Sequence, residues 1–245
     1  MQLPVADERF ECCRCGACCT NIRKLGTESR EQKVIFRVPD DSEIGLPLWQ
    51  WETEQLQRIA DERNINAIIE PLQFFFDKKS QRAVIVSWHL NHGSCVFYRP
   101  GECTVYENRP HVCRMFPLIR SGVFEFKFNR KPTFVKTLCN SNFGEKAYDA
   151  ENAKEFAAKM KAYYGNSFDV AVQNDFINYF IATKIKELAE KRIIDPVISP
   201  RELALRRFEK SGKIGFFDLL KENGADTEQL IASFRSLRDA ESLFQ

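Results

Sequence analysis

Several features that would assign a chain to a broad class are missing here. The sequence has no stretch of about 18 consecutive apolar residues, which a membrane-spanning helix requires. Its start, Met-Gln-Leu-Pro-Val-Ala-Asp-Glu, has neither the basic nor the apolar stretch of a signal peptide. The formal net charge is only +2, so composition gives no general case for binding nucleic acid or an anionic membrane. We therefore expect a cytoplasmic protein without membrane association, whose redox or protein partner the sequence does not identify.

Histidine is scarce, and cysteine is confined to one part of the chain. There are three histidines and nine cysteines among 245 residues, and no cysteine follows Cys139. Five of the cysteines fall within residues 10–19. In a cytoplasmic chain, clustered cysteines indicate metal or redox chemistry and not a disulfide framework. The sequence thus divides into a ligand-rich part and a ligand-free part.

The hydrophobic patterns predict an α+β fold. Residues 1–145 are predicted to form a cysteine-cluster metal-binding domain with short antiparallel strands and metal-binding loops, and residues 146–245 an all-helical region. Whether this region packs on the first as one unit stays open. Predicted strands are 34–38, 67–76, 82–89, 123–128 and 133–138, and predicted helices are 48–63, a short one from Arg109-Pro110, 146–164, 168–192, 200–211 and 227–243. Residues 211–215 are predicted to be a break between helices.

The most informative stretch is Phe10-Glu-Cys-Cys-Arg-Cys-Gly-Ala-Cys-Cys19. Cys12, Cys15 and Cys18 are separated by two residues each, a spacing that lets a tight turn bring the sulfurs onto one metal. Gly16 fits such a turn because glycine tolerates positive φ. Cys18 and Cys19 are adjacent, so we expect their side chains to diverge. They would then serve two neighbouring metals, or one would stay available for chemistry.

Eight cysteines make up the predicted ligand set, enough for two four-thiolate sites. They are Cys12, Cys15, Cys18, Cys19, Cys95, Cys103, Cys113 and Cys139. Arg109 and Arg114 flank Cys113, and we expect them to hydrogen-bond the sulfurs of a cofactor and to offset thiolate charge. The histidines His89, His92 and His111 have either a ligand role or an ordinary hydrogen-bonding role, and the sequence leaves this open.

Iron–sulfur and zinc sites share the same soft thiolate ligands. Three cysteines at two-residue spacing with a remote fourth favour a ferredoxin-type [4Fe–4S] cluster. Structural zinc sites more often use two separated CxxC pairs, which this chain lacks. Iron–sulfur is therefore the favoured cofactor and zinc the alternative.

The two cysteine segments together resemble the CxxCxxCC family of zinc- or iron-chelating, YkgJ-like cysteine-cluster proteins. The resemblance covers roughly residues 10–140. It is carried by Phe10, Cys12, Cys15-Gly16, Cys18-Cys19, Cys95, the run Cys103-Thr-Val-Tyr-Glu-Asn-Arg109-Pro110 and the run Cys113-Arg-Met-Phe-Pro117. Cys13 departs from the family pattern. The resemblance implies metal or iron–sulfur binding and leaves the reaction undefined.

Three functions follow as hypotheses. The first is an iron–sulfur protein that transfers electrons or acts as an oxidoreductase. The second is a zinc-binding, non-redox module whose helical tail contacts a partner. The third is a metal-assisted, protein methyltransferase-like enzyme that uses the metal site to hold or activate a thiol or methyl substrate. One relative, the flagellin lysine N-methylase, looks similar around its cysteines. The sequence has no glycine-rich nucleotide fingerprint to place a methyl donor, so that activity is not carried over.

Overall fold

The computed structural model describes residues 9–25, 34–119 and 149–236. The predicted strands 123–128 and 133–138, and Cys139, lie outside these ranges. In chain order the elements are β1 (Phe36–Arg37), β2 (Leu46–Leu48), α1 (Gln50–Glu62), β3 (Ile69–Asp77), β4 (Arg82–Leu90), β5 (Tyr98–Arg99), β6 (Glu102–Cys103), α2 (His111–Arg114), α3 (Ala153–Tyr164), α4 (Asn166–Glu190), α5 (Arg201–Lys210), β7 (Gly212–Gly215), α6 (Phe216–Glu222) and α7 (Thr227–Ser236). Short 3-10 turns cover Ile22–Leu25, Asp41–Glu43 and Tyr106–Asn108.

The chain forms two compact units, each made of separate segments. The first takes in Met1–Asn21, Phe97–Asn178 and Ser233–Gln245, and the second takes in Ile22–Val96 and Tyr179–Ala232. The predicted boundary at 145/146 falls among residues outside the described ranges and stays a prediction.

A five-stranded sheet is the centre of the second unit. Its antiparallel strands run in the order β1, β3, β4, β2, and β7 joins β4 in parallel. The β3–β4 hairpin forms because aromatic and β-branched residues fill both strands. The buried Asp77 closes the turn by accepting hydrogen bonds from the backbone N–H groups of Lys79 at 3.1 Å and Ser80 at 3.0 Å.

Helices cover both faces of this sheet. On one face, Phe208 of α5 packs on Phe74 of β3, with ring centroids 4.6 Å apart. Phe75 and Val84 point to the opposite face by strand alternation, and both are fully buried. Helices α1 and α6 pack against β4, and Trp51 meets Phe217 edge to face at 5.2 Å. The large buried aromatic surface supplies this unit's stability.

The first unit holds the cysteine loop, the β5–β6 hairpin, α2, α3 and the first half of α4. Its core includes the fully buried side chains Phe97, Phe156, Met160 and Phe168. Helix α3 begins where the Asn152 side chain accepts a hydrogen bond from the Glu155 N–H at 2.9 Å. The cysteine loop begins beside α3 of this core, where Phe10 contacts Tyr164.

The α+β class is confirmed, and most predicted elements are found within a few residues of their predicted bounds. The sequence patterns do not predict strand β2, the short strands β5 and β6, helix α6 or strand β7. The predicted break at 211–215 contains strand β7, which pairs Arg82 to Ile85 of β4 with Gly212 to Gly215. A four-residue strand with two glycines has no periodicity of its own, so its conformation is set by the distant strand that it pairs with.

None of the described helices is both long enough and apolar enough to cross a membrane.

Candidate metal centre

The cysteine loop is anchored at its start by α3. The Phe10 N–H donates to the Tyr163 carbonyl oxygen at 2.8 Å, and the Phe10 ring lies 6.2 Å from that of Tyr164. The loop then closes with a turn, in which the Thr20 N–H and hydroxyl both donate to the Gly16 carbonyl oxygen, at 2.8 and 2.9 Å. The cysteines between these two points are therefore held in a short, doubly fixed segment.

Two residues with positive φ flank Cys15. Arg14 has φ +54° and Gly16 has φ +76°. A Cβ built on Gly16 would lie 2.1 Å from the Tyr98 hydroxyl oxygen, so both the backbone conformation and the close approach of Tyr98 require glycine. The predicted role of Gly16 in a tight ligand loop agrees with this geometry.

The thiols of the loop differ in exposure. Cys12, Cys13 and Cys15 are exposed, whereas Cys18 and Cys19 are partly buried. The Sγ atoms of Cys18 and Cys19 are 3.9 Å apart. The pKa of Cys18 is raised above its ordinary range. The larger cause is a hydrogen bond with the Cys19 thiol, and the next is burial.

The expected divergence of Cys18 and Cys19 is wrong. Residues 17–19 form a turn, and the Sγ atoms of Cys18 and Cys19 lie close together in it. Divergence of neighbouring side chains is a property of extended chain, and it fails where the backbone bends.

The β5–β6 hairpin brings the downstream segment to the loop. Tyr98 pairs directly with Cys103 across the hairpin. Directly paired residues project from the same face, so the Cys103 side chain is on the face from which Tyr98 contacts Gly16. The Tyr98 hydroxyl also accepts a hydrogen bond from the Gly101 N–H at 3.2 Å, which fixes the ring.

The next contact between the two segments involves Tyr106. The guanidinium carbon of Arg14 lies 4.2 Å from the Tyr106 ring centroid, and that of Arg109 lies 3.8 Å from it. The Arg109 Nε also donates to the Tyr106 carbonyl oxygen at 3.0 Å. Cationic groups over an aromatic ring attract its negative face.

Helix α2 carries Cys113, which is partly buried. Pro110 precedes its first residue, as predicted, and its carbonyl oxygen accepts from the Cys113 and Arg114 N–H groups at 3.0 Å. The Arg114 Nη2 is 3.2 Å from Nδ1 of the buried His111. The predicted role of Arg109 and Arg114 towards cofactor sulfurs stays a prediction.

Two histidines of the second unit accept backbone hydrogen bonds. The Gly45 N–H donates to His89 Nδ1 at 2.9 Å, and the Ile68 N–H donates to His92 Nε2 at 3.0 Å. Burial lowers the pKa of both imidazoles. A neutral imidazole has one nitrogen with a lone pair and one N–H group, and a metal ligand needs the lone pair. In both rings the nitrogen with the lone pair already accepts a backbone hydrogen bond. Both arrangements favour the hydrogen-bonding role over the ligand role.

The structure brings some predicted ligands together and leaves others apart or undescribed. Within residues 9–25, 34–119 and 149–236, no three Cys, His, Asp or Glu side chains are assembled closely enough to hold a metal ion. Cys18 and Cys19 form a close thiol pair, with Sγ atoms 3.9 Å apart. Cys95 is partly buried in the second unit, and Cys139 lies outside the described residues.

Three residues that the sequence did not single out for the site are Arg14, Tyr98 and Tyr106. Tyr106 belongs to the motif run between Cys103 and Arg109, so the motif could have pointed to it. Arg14 and Tyr98 carried no signal, because their roles depend on contacts between segments about 80 to 90 residues apart in the chain.

The family comparison covers both cysteine segments. A family model described as "Putative zinc- or iron-chelating domain" (CxxCxxCC) matches residues 11–142, which is more than half of the chain. No curated protein and no solved structure matches the chain. The matched range contains all but one residue of the 10–19 stretch and extends past Cys139. The chain belongs to the CxxCxxCC family of zinc- or iron-chelating domains and is a metal-binding cysteine-cluster protein.

Proposed function

We propose that the loop of residues 12–19 holds metal on cysteine thiolates and that Cys18 and Cys19 bind the same ion. Two thiolates on one tetrahedral ion, with bonds of about 2.3 Å, lie about 3.8 Å apart. The Cys18 and Cys19 sulfurs are 3.9 Å apart, so they fit one ion with little movement. This distance is the observation that carries the proposal.

Cys12 and Cys15 are the proposed partners of this pair. They lie on the same loop with exposed side chains, and Arg14 and Gly16 give the backbone around Cys15 its tight course. The other proposed ligands are the downstream cysteines, which would complete the centre or make a second four-thiolate site. They are Cys95, Cys103, Cys113 and Cys139.

For the metal we propose iron, in an iron–sulfur cluster used for electron transfer or an oxidoreductase reaction. The spacing of Cys12, Cys15 and Cys18 supports this choice. The Cys18–Cys19 distance favours a two-iron cluster, in which each iron takes two thiolates, over the four-iron cluster that spacing alone favours. Such a cluster would supply one-electron transfer at the loop.

The residues of the loop suit exchange of electrons with a partner. The thiols of Cys12 and Cys15 are exposed, so a centre that they hold would lie at the protein surface. Arg14 is exposed beside them, and its fixed positive charge would offset the negative charge of a thiolate centre.

Zinc is the second candidate, and the same distance favours it. A single tetrahedral ion with four thiolates is a common kind of structural zinc site. A zinc ion there would supply a fixed crosslink and no redox chemistry. The helical C-terminal half would then be the region that contacts a partner.

The test is anaerobic purification followed by metal analysis, acid-labile sulfide analysis and an absorption spectrum on one sample. Iron with sulfide and a visible band bleached by a reductant supports the electron-transfer proposal. Zinc without visible absorption supports the second candidate. Absence of both metals, persisting after anaerobic reconstitution with iron and sulfide or with zinc, contradicts the proposed thiolate centre.

Two variants assign the result to the loop. Cys15→Ser should lower metal content, because it removes a proposed ligand. Cys13→Ser is the matched control, since this neighbouring thiol lies outside the proposed set, and it should keep its metal. An unchanged metal content in Cys15→Ser would contradict the loop as the site.

A further inference from the structure

Arg14 is the only residue of the loop that combines a side chain with an unfavourable backbone conformation. Its φ of +54° lies in the left-handed region, which side-chain-bearing residues rarely adopt. Such outliers persist where surrounding contacts over-determine them, and they cluster at functional sites. The side chain of this residue contacts the ring of Tyr106.

The Arg14 side chain reaches from one cysteine segment to the other. Its guanidinium carbon lies 4.2 Å from the Tyr106 ring centroid, and Tyr106 stands between Cys103 and Cys113 in the downstream segment. Arg14 itself stands between Cys13 and Cys15. Like the contact of Tyr98 with Gly16, this contact joins the two stretches that carry the proposed ligands of the first unit.

The Tyr106 ring is held in place from its own side. Arg109 lies over the same ring at 3.8 Å, and its Nε donates to the Tyr106 carbonyl oxygen at 3.0 Å. Tyr106 opens the 3-10 turn Tyr106–Asn108, so its backbone is fixed as well. The ring is thus a preorganised platform for the Arg14 guanidinium.

We propose that Tyr106 is a positioning residue for the metal centre, which holds the loop of residues 12–19 to the Cys103–Cys113 segment through the guanidinium group of Arg14. This inference rests on the proposed thiolate centre. It adds that the ring face of Tyr106, and not its hydroxyl, is what the centre needs. It also assigns Arg14, which lies outside the family's cysteine pattern, a part in keeping the thiolates in register.

The test uses Co(II) as the probe of the thiolate site. Affinity is measured by competition with a chelator, and the thiolate-to-cobalt absorption bands report the bound geometry. Residues behind metal ligands typically change metal affinity by about 10- to 100-fold when replaced. We therefore expect Tyr106→Leu and Arg14→Gln to weaken Co(II) binding by about tenfold or more and to alter the bands.

Two further variants separate positioning from general destabilisation. Tyr106→Phe keeps the ring face and should bind Co(II) within about twofold of wild type. Arg99→Gln is the matched control, because Arg99 is an exposed arginine of the β5–β6 hairpin whose guanidinium group donates to the Tyr98 carbonyl oxygen. It should leave affinity and bands unchanged.

Equal affinity and identical bands in Tyr106→Leu and Tyr106→Phe would overturn the inference. So would a Tyr106→Leu variant whose metal-free Tm falls while its Co(II) bands keep the wild-type shape, since that is a structural role alone. Either result leaves the proposed function standing. Full Co(II) binding by Cys15→Ser contradicts the proposed function instead, so the two failures are distinguishable.

Discussion

The Tyr98 hydroxyl oxygen lies where a side chain on Gly16 would begin, because a Cβ at Gly16 would be only 2.1 Å from it. This contact ties the cysteine loop to the hairpin that carries Cys103. The spacing of the loop cysteines indicates a turn, and the contact explains why that turn needs glycine at this position.

Gly16→Ala should impair both stability and metal binding. The positive φ alone costs an alanine about 1–2 kcal/mol, and the clash with Tyr98 adds about 1–3 kcal/mol. Chemical denaturation measures the loss of stability, and metal content after purification measures the loss of metal binding.

Gly101→Ala is the control for this change. Gly101 has φ +77°, close to that of Gly16, but a Cβ there would meet no atom within 4 Å. The stability of Gly101→Ala should fall only by the cost of the positive φ, and the variant should keep its metal. Equal losses in the two variants would show that the contact with Tyr98 is unimportant.

Asp77 should be a major determinant of stability in the second unit. Its buried carboxylate accepts from the Asp195 N–H at 2.7 Å and from Ser80 Oγ at 2.5 Å, in addition to the turn's N–H groups. Asp77→Ala should lower the free energy of unfolding by about 3 kcal/mol, because it removes the charged acceptor of four part-buried hydrogen bonds. Asp195→Ala keeps the backbone donor and changes an exposed side chain, so it should cost less than about 0.5 kcal/mol.

Protonation of the Asp77 carboxylate should lower the stability of the fold at acidic pH. Burial alone would raise the pKa of Asp77, but the hydrogen bonds from Asp195, Ser80 and Lys79 outweigh it, and the net shift is downward. The folded state thus holds fewer protons than the unfolded state. The stabilisation should be complete above the ordinary carboxyl pKa and be lost as the pH falls through the folded value. A pH titration of unfolding in wild type and Asp77→Asn checks this, and identical acid limbs would contradict it.

His89 should make stability fall at mildly acidic pH. Burial lowers its pKa from the ordinary 6.5, with a further downward contribution from Arg23 and opposing ones from Glu70 and Glu43. The contribution of the neutral His89 imidazole to the free energy of unfolding is complete above about pH 6.5. It is lost as the pH falls through the pKa of His89 in the folded state. Protonation of Nδ1 would also remove the acceptor for the Gly45 N–H.

Urea unfolding at pH 7.5 and pH 5.5 measures this effect. His89→Gln should be less stable than wild type at pH 7.5 and should show a smaller loss between the two pH values. A variant with the full wild-type pH dependence would assign that dependence to other groups. His89→Gln should also keep its metal, since the imidazole serves a backbone hydrogen bond.

The sequence was sufficient where local pattern and local structure coincide. Aromatic and β-branched residues around Asp77 predict the β3–β4 hairpin, and the structure has it at Ile69–Asp77 and Arg82–Leu90. The cysteine spacing likewise predicts a tight loop at residues 12–19, because chelation by nearby thiols is itself a local requirement.

The sequence was insufficient where distant segments decide the structure. Helix α6 begins where the Gln50 side chain accepts from the Phe217 N–H at 3.1 Å, a cap supplied from 167 residues away. Strand β7 depends on pairing with β4, and the Arg14 side chain packs over the ring of the distant Tyr106. No local pattern encodes these partners, since each contact exists only in the folded chain.

The central claim is that Cys18 and Cys19 bind one ion, and X-ray absorption of the protein loaded with one equivalent of Zn²⁺ tests it most directly. Wild type should show about four sulfur ligands at about 2.3 Å. Cys18→Ser and Cys19→Ser should each show one sulfur fewer, with oxygen in its place, whereas Cys13→Ser should match wild type. A full set of four sulfurs in either of the first two variants would contradict the claim.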